Sequence, residues 1–342
     1  MTGPAAPCPL WLQQRFEQSG GSVPFSQFMA WALHDPEHGA YGSGQLKIGK
    51  GGDFATSATL GPDFSALMGC QLVQWLRALG LNHPTKTLSI VEVGPGEAEL
   101  SCDLIDHLAE HLPDLMHRLE LVLVEINPGM EQRQRKRLGR HQDSRNSQPL
   151  LPHRWTSLTE LKASPVIGVL IAHELLDAFP VERLELVDGQ LRRQTVHLHQ
   201  ADACGVDLYW GTEPIPQALQ ERINSTLSAT QIALPPPDAE DGWTTEWHDA
   251  CASWFAEASE ALPLAIFLLL TTPSRHTGIT PLVAGRGRSW PIETKGLVRV
   301  SWWMQGSKTS PLIFVWRPWF TKPQPMVGPW RGSAARVRLY SP

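Results

Sequence analysis

Apolar residues recur along this chain in two rhythms. Unbroken runs occur at Ile90-Val91-Glu92-Val93, at Val122-Leu123-Val124 and over the seven positions from Val166 to Ala172. Short continuous runs of this kind suit strands buried on both faces of a parallel sheet. Between and before them the spacing is helical. Leu100, Leu104, Ile105 and Leu108 follow the first run, and Phe64, Leu67, Met68, Leu72, Trp75 and Leu76 predict a helix from about Leu60 to Leu79. Nearer the start, Leu10, Leu12 and Phe16 form one helical stretch, Pro24 breaks it, and Phe25, Phe28, Met29, Ala32 and Leu33 form another. From Arg183 the pattern alternates, pauses at Asp188-Gly189 and resumes from Leu191 to Leu198, which predicts a hairpin with an Asp-Gly turn. Residues 208–261 add a helix, a proline run from Pro235 to Pro237 and a helix rich in alanine and aromatics.

Strands alternating with helices predict an α/β fold, a doubly wound Rossmann-like core. The expected organisation has an N-terminal helical segment and glycine loop over 1–80, the α/β core over 81–180, an inserted, acceptor-facing subdomain over 181–264, and a separate tail over 265–342. No apolar run reaches 18 residues, so no membrane insertion is expected. The five cysteines stand far apart with no C-x-x-C pair, which argues against a zinc site or a disulfide framework. With no basic and apolar leader at the N-terminus, the expected compartment is the cytoplasm.

Chemistry concentrates where the first apolar run ends. Gly94-Pro95-Gly96 breaks the strand and Glu97 is expected to open the helix, a strand, turn and helix in the order that sets ligands at the carboxyl end of an open sheet. A dinucleotide fingerprint needs a third glycine and a turn free of acid. Here that glycine is absent and Glu97 faces the place of a phosphate. S-adenosylmethionine, cationic and without phosphate, suits acidic neighbours better. Glu92 is placed to take its amino group or to support the turn. Glu125, 33 positions later at the end of the second run, is placed to hold both ribose hydroxyls. The alternative is a structural turn in a generic α/β domain. A second glycine-rich loop, Gly49 to Thr56, contains Gly52 and Asp53; Asp53 either caps a turn or faces a ligand that the glycines let approach. The basic helix expected after Asn127-Pro128 reads as a solvated face rather than a nucleic-acid surface.

The third run ends in His173-Glu174-Leu175-Leu176-Asp177. Glu174 and Asp177 either cap the next helix or face the reacting centre, where a carboxylate holds a guanidinium bidentately. Together these stretches resemble the MidA family of S-adenosylmethionine-dependent methyltransferases. The resemblance rests on Phe25 to Tyr41, Gly52-Asp53-Phe54, Glu92 to Gly96, and His173 to Pro180, and covers about residues 22–264. This chain departs from the family pattern at His34 in place of Tyr, at Gly39-Ala40-Tyr41 in place of Gly-Tyr-Tyr, and at His173 in place of Asn. The resemblance implies N-methylation of an arginine in a protein acceptor, a subunit of complex I or an NADH dehydrogenase-like complex. Glu92, Gly94, Gly96, Glu125 and Gly52 would serve the cofactor, and Glu174, Asp177 and Asp53 the transfer. The rival function is a cofactor-binding assembly factor that transfers nothing.

Charge changes the picture only at the end of the chain. Residues 265–342 carry a net +10 and the first 264 carry −15, for a total of −5. The family's closing segments are missing there, but a reading frame displaced by one base restores them in order. Thr271 to His276 permits Asp-Tyr-Ala-Leu-Ala-Ala, Gly285 to Lys295 permits a segment containing Gly-Thr-Leu, and Lys308 to Ile313 permits Gln-Asp-Leu-Thr-Ala-His. The expectation is that residues after about Leu264 are translated out of frame, so that the sheet lacks its last strands. The rival is a basic, Trp-containing arm that binds nucleic acid.

Overall fold

The computed structural model describes residues 8–44, 46, 62–144, 151–201, 205–230, 232–271 and 312–316; Gly52 and Asp53 lie outside them. In chain order the elements are α1 (Leu10–Gln18), β1 (Ser22–Pro24), α2 (Phe25–His34), α3 (Pro62–Asn82), β2 (Leu88–Val93), α4 (Glu99–His111), β3 (Leu119–Val124), α5 (Pro128–Ser144) and β4 (His153–Thr156). Then follow α6 (Leu158–Ala163), β5 (Ile167–His173), β6 (Glu182–Val187), β7 (Gln190–Ala201), β8 (Gly205–Pro214), α7 (Gln217–Thr230), β9 (Thr244–Trp247), α8 (Asp249–Ala261), β10 (Leu264–Thr271) and β11 (Leu312–Trp316). No helix among the described residues is long and apolar enough to cross a membrane.

The main sheet has the order β11-β10-β5-β2-β3-β4. The neighbours from β10 to β4 pair in parallel, and β11 is antiparallel to β10. Because side chains alternate across a strand, each apolar run supplies both faces. Ile90, Leu121, Leu123, Val169 and Ile171 pack with α3 and α4 on one side. Val91, Val93, Val122, Val124, Leu170 and Phe267 pack with α6 and α8 on the other. The result is a Rossmann-like sandwich of a sheet between two helical layers. The chain leaves β2 toward β3 and β4, then returns to place β5 on the other side of β2. That reversal makes the crevice at the carboxyl ends of β2 and β5 the topological switch point.

A second, antiparallel sheet follows the fourth strand of the main one. It contains the expected hairpin of β6 and β7, with Asp188 and Gly189 at φ 51 and 71 in its turn. The N-terminal segment joins it through β1, whose Val23 pairs with Val196 of β7. Phe16, Val23 and Val196 are buried together there, with Phe28 and Trp31 packed against them.

The end of the chain differs from expectation. Leu264 to Thr271 forms β10 and pairs in register with Ile167 to His173 of β5, so the sheet continues past Leu264. Ala265, Ile266, Phe267 and Leu268 are buried in it, because this stretch stays apolar in the printed frame. β11 then pairs along its outer edge.

Candidate active site

A cavity of about 530 Å³ opens at the switch point. The turn after β2, the ends of β3 and β5, the N-terminal residues His34 and Tyr41, and Trp254 of α8 enclose it. Glu92, Gly94, Gly96, Glu125 and Glu174 all line it, whereas Asp177 does not.

The turn is built by backbone conformations that few residues accept. Gly94 and Gly96 have φ of 64 and 53, in the left-handed region that glycine enters without penalty. The Gly94 amide donates to the Val124 carbonyl at 2.9 Å and ties the turn to the end of β3. Ala98, at φ 60, delays the helix to Glu99, two residues beyond the expected start. Glu92, the last residue but one of β2, is buried and accepts a hydrogen bond from the Ser101 hydroxyl. Burial pushes its carboxyl up to about 7, against the smaller opposing effect of that bond.

Glu125 lies one residue past β3. One of its carboxylate oxygens accepts from the Asn127 amide at 2.9 Å and the Asn127 side chain at 3.1 Å; the other accepts from Gln134 Nε2 at 2.8 Å. Burial raises its pKa and these donors partly offset the rise. Glu97 meets Arg133 at 3.4 Å, and Glu99 meets Arg137 at 3.2 Å. This corrects the charge argument against a phosphate ligand, since a cation already offsets Glu97. The missing third glycine is what continues to separate the turn from a dinucleotide fingerprint.

At the end of β5, His173 is partly buried against the Phe64 ring at 5.1 Å, and burial lowers its pKa, which favours the neutral ring. Glu174 follows with φ 50, an uncommon conformation for a residue with a side chain. Such outliers collect at functional sites when the surroundings hold them. No α-helix follows for Glu174 and Asp177 to cap; Asp177 sits, exposed, within a single 3₁₀ turn, Leu176–Ala178. The Tyr41 phenol is pushed up to about 12 by burial and then by the charges of Asp177 and Glu174, so it stays protonated at neutral pH. His34, stacked on Tyr41, donates from Nε2 to the Ala178 carbonyl at 3.0 Å.

The model of a family described as "Putative S-adenosyl-L-methionine-dependent methyltransferase" matches residues 67–278. The chain belongs to that family. The protein arginine methyltransferase NDUFAF7 homolog, mitochondrial, of Drosophila melanogaster is 28% identical over 195 residues, 54% of this chain and 43% of that protein. Protein arginine methyltransferase NDUFAF7, mitochondrial, of Danio rerio is 26% identical over 192 residues, 52% of this chain and 44% of its own. The chain therefore spans less than half of the curated relatives it matches. A COG1565 superfamily member from Burkholderia thailandensis, solved bound to S-adenosyl-homocysteine, superposes with a TM-score of 0.61 at 26% identity, covering 77% of this chain and 62% of that one. A second crystal structure of a COG1565 superfamily protein from the same organism gives 0.59 at 25%, covering 77% and 60%.

Several residues at the cavity carry little signal in the sequence. Gln134 bonds to both the turn and Glu125, yet it sits in a helix whose charge suggests a solvated face. One signal was available, since Met130, Gln134 and Leu138 form a buried stripe at helical spacing in which Gln134 is the polar member. Trp254 lines the cavity from a helix about 80 positions after Glu174. Nothing in the local pattern points there.

Proposed function

We propose that this chain binds S-adenosylmethionine in the cavity and transfers its methyl group to an arginine of a protein, a subunit of a respiratory or NADH dehydrogenase-like complex. The observation that carries the reading is the convergence of the glycine turn, Glu125 and Glu174 on one crevice at the switch point. The names of the curated relatives support the arginine acceptor, and the S-adenosyl-homocysteine bound by the Burkholderia relative supports the cofactor. The donor set fits: a carboxylate at the end of β3 suits ribose hydroxyls, and a buried acid beside the turn suits an amino group.

When bound, S-adenosylmethionine supplies an electrophilic methyl carbon on a cationic sulfur. Gly94 and Gly96 would let the backbone approach, Glu92 and Glu125 would orient the two ends, and Glu174 would hold the guanidinium beside that carbon. Positioning of this kind supplies much of the rate, and the Glu174 carboxylate offsets charge that develops as the bond forms. Asp177 adds negative charge near the acceptor side. Gly52 and Asp53 enter the proposal through the family resemblance alone.

The test is transfer of labelled methyl from S-adenosylmethionine into arginine of candidate subunits. Wild-type protein transfers label, and Glu174→Gln binds the cofactor but transfers at least about 100-fold more slowly. Cofactor binding without transfer by the wild type would make the chain an assembly factor instead.

The tail belongs to the same proposal. Residues after about Leu264 carry a net charge opposite to that of the rest of the chain, and a frame displaced by one base permits the family's closing segments in order. Sequencing codons 255–275 from independent clones is expected to reveal an extra base. An unchanged sequence in every clone removes the frame displacement.

A further inference from the structure

Gln134 is completely buried in α5 and touches three separate pieces of the site. Its amide nitrogen donates to the Gly96 carbonyl at 2.9 Å and to Glu125 Oε2 at 2.8 Å. Its amide oxygen accepts from the Trp155 indole Nε1 on β4 at 3.0 Å. Chemistry permits only this orientation of the amide. A carbonyl and a carboxylate only accept, and an indole N–H only donates, so Trp155 fixes which end of the amide faces the turn and Glu125. Both donor hydrogens are thereby used, one on the turn and one on the acid.

We infer that Gln134 is the positioning residue that sets Glu125 and the glycine turn at one spacing, so that ligand discrimination at the ribose depends on it. This inference rests on the cofactor reading above. Asn127 anchors one oxygen of Glu125 locally, two positions along the chain. Gln134 alone among the described residues joins the other oxygen to the turn. Without it Glu125 keeps its local anchor and loses its register with Gly96. Gln134→Met, of similar size and without a donor, removes both bonds at once, so that this oxygen of Glu125 is no longer tied to the turn while the cavity is not enlarged.

The experiment titrates wild type and Gln134→Met with S-adenosylhomocysteine and with its 2′-deoxy analogue, alongside thermal melts. Wild type should prefer the ribose form by about ten-fold, the worth of one hydrogen bond to a charged group. In the variant that preference should fall to about two-fold or less, mostly through weaker binding of the ribose form, with the melt still cooperative. A residue with a merely structural role would weaken both ligands alike. Gln134→Leu, also apolar and without a donor, makes the same comparison should Gln134→Met fail to fold. A variant that keeps the wild-type preference overturns the inference, as does a wild type that binds both ligands equally. A wild type that binds neither overturns the cofactor reading and this inference with it.

Discussion

At the scale of single residues, the site combines groups that were visible in the pattern with groups that were not. Glu92 and Glu125 were legible because each interrupts or ends an apolar run, where an acid has no packing reason to be. Gln134 was not, because its partners lie 38 and 9 positions away in the chain and only folding brings them within 2.9 and 2.8 Å. Glu92 also makes a prediction about stability. The folded chain holds its proton up to about pH 7, whereas the ordinary value is 4.5. An acid with a raised folded pKa contributes most at pH below 4.5, and that contribution is lost as pH rises through about 7. The loss is on the order of 3 kcal/mol. Glu92→Gln, which can still accept from Ser101, should therefore raise the melting temperature of the ligand-free protein more at pH 8 than at pH 5. Equal effects at the two pH values would mean that Glu92 is ionised in the folded chain. The same variant should bind S-adenosylhomocysteine more weakly, since it exchanges a carboxylate for an uncharged amide beside the amino group.

At the scale of elements, β5 is held against β2 by a near approach of backbones. Ser89 and Gly168 are register partners, and a Cβ on Gly168 would lie 1.7 Å from the Ser89 carbonyl oxygen. No side-chain rotation relieves a clash with a main-chain atom. Gly168→Ala should cost about 3 kcal/mol or more, read as a lower denaturant midpoint, and it should weaken ligand binding because His173 and Glu174 ride on the same strand. A variant as stable as wild type would mean that the two strands separate more easily than their pairing implies. Other elements show where pattern reading stops. A capping box of Ser157 and Glu160 starts α6, a helix absent from the expectations above. Four-residue β4 carried no comparable signal. Its pairing with β3 and the indole bond from Trp155 to Gln134 give it its place. The basic helix α5 is solvated on part of its surface, but Arg133 and Arg137 turn toward Glu97 and Glu99.

At the scale of the whole molecule, ligand binding and folding are linked. S-adenosylhomocysteine at 100 times its dissociation constant should add about 2.7 kcal/mol to the native state, seen as a rise of several degrees in a thermal melt; no shift at saturating ligand would remove the cofactor from the proposal. The sequence by itself determined the α/β class, where β2, β3 and β5 lie along the chain and the position of the turn, because burial on both faces demands uninterrupted apolar runs and a turn of positive φ demands glycine. It also carried the family resemblance in ordered local motifs. Only the tertiary structure decided that β1 joins the second sheet, that Glu97 is offset by Arg133, and that β10 continues the main sheet beyond Leu264. The physical reason is that local pattern reports what a segment must bury, whereas partner choice depends on which other segments present a free edge, a complementary charge or an unmet hydrogen bond once the chain has closed on itself.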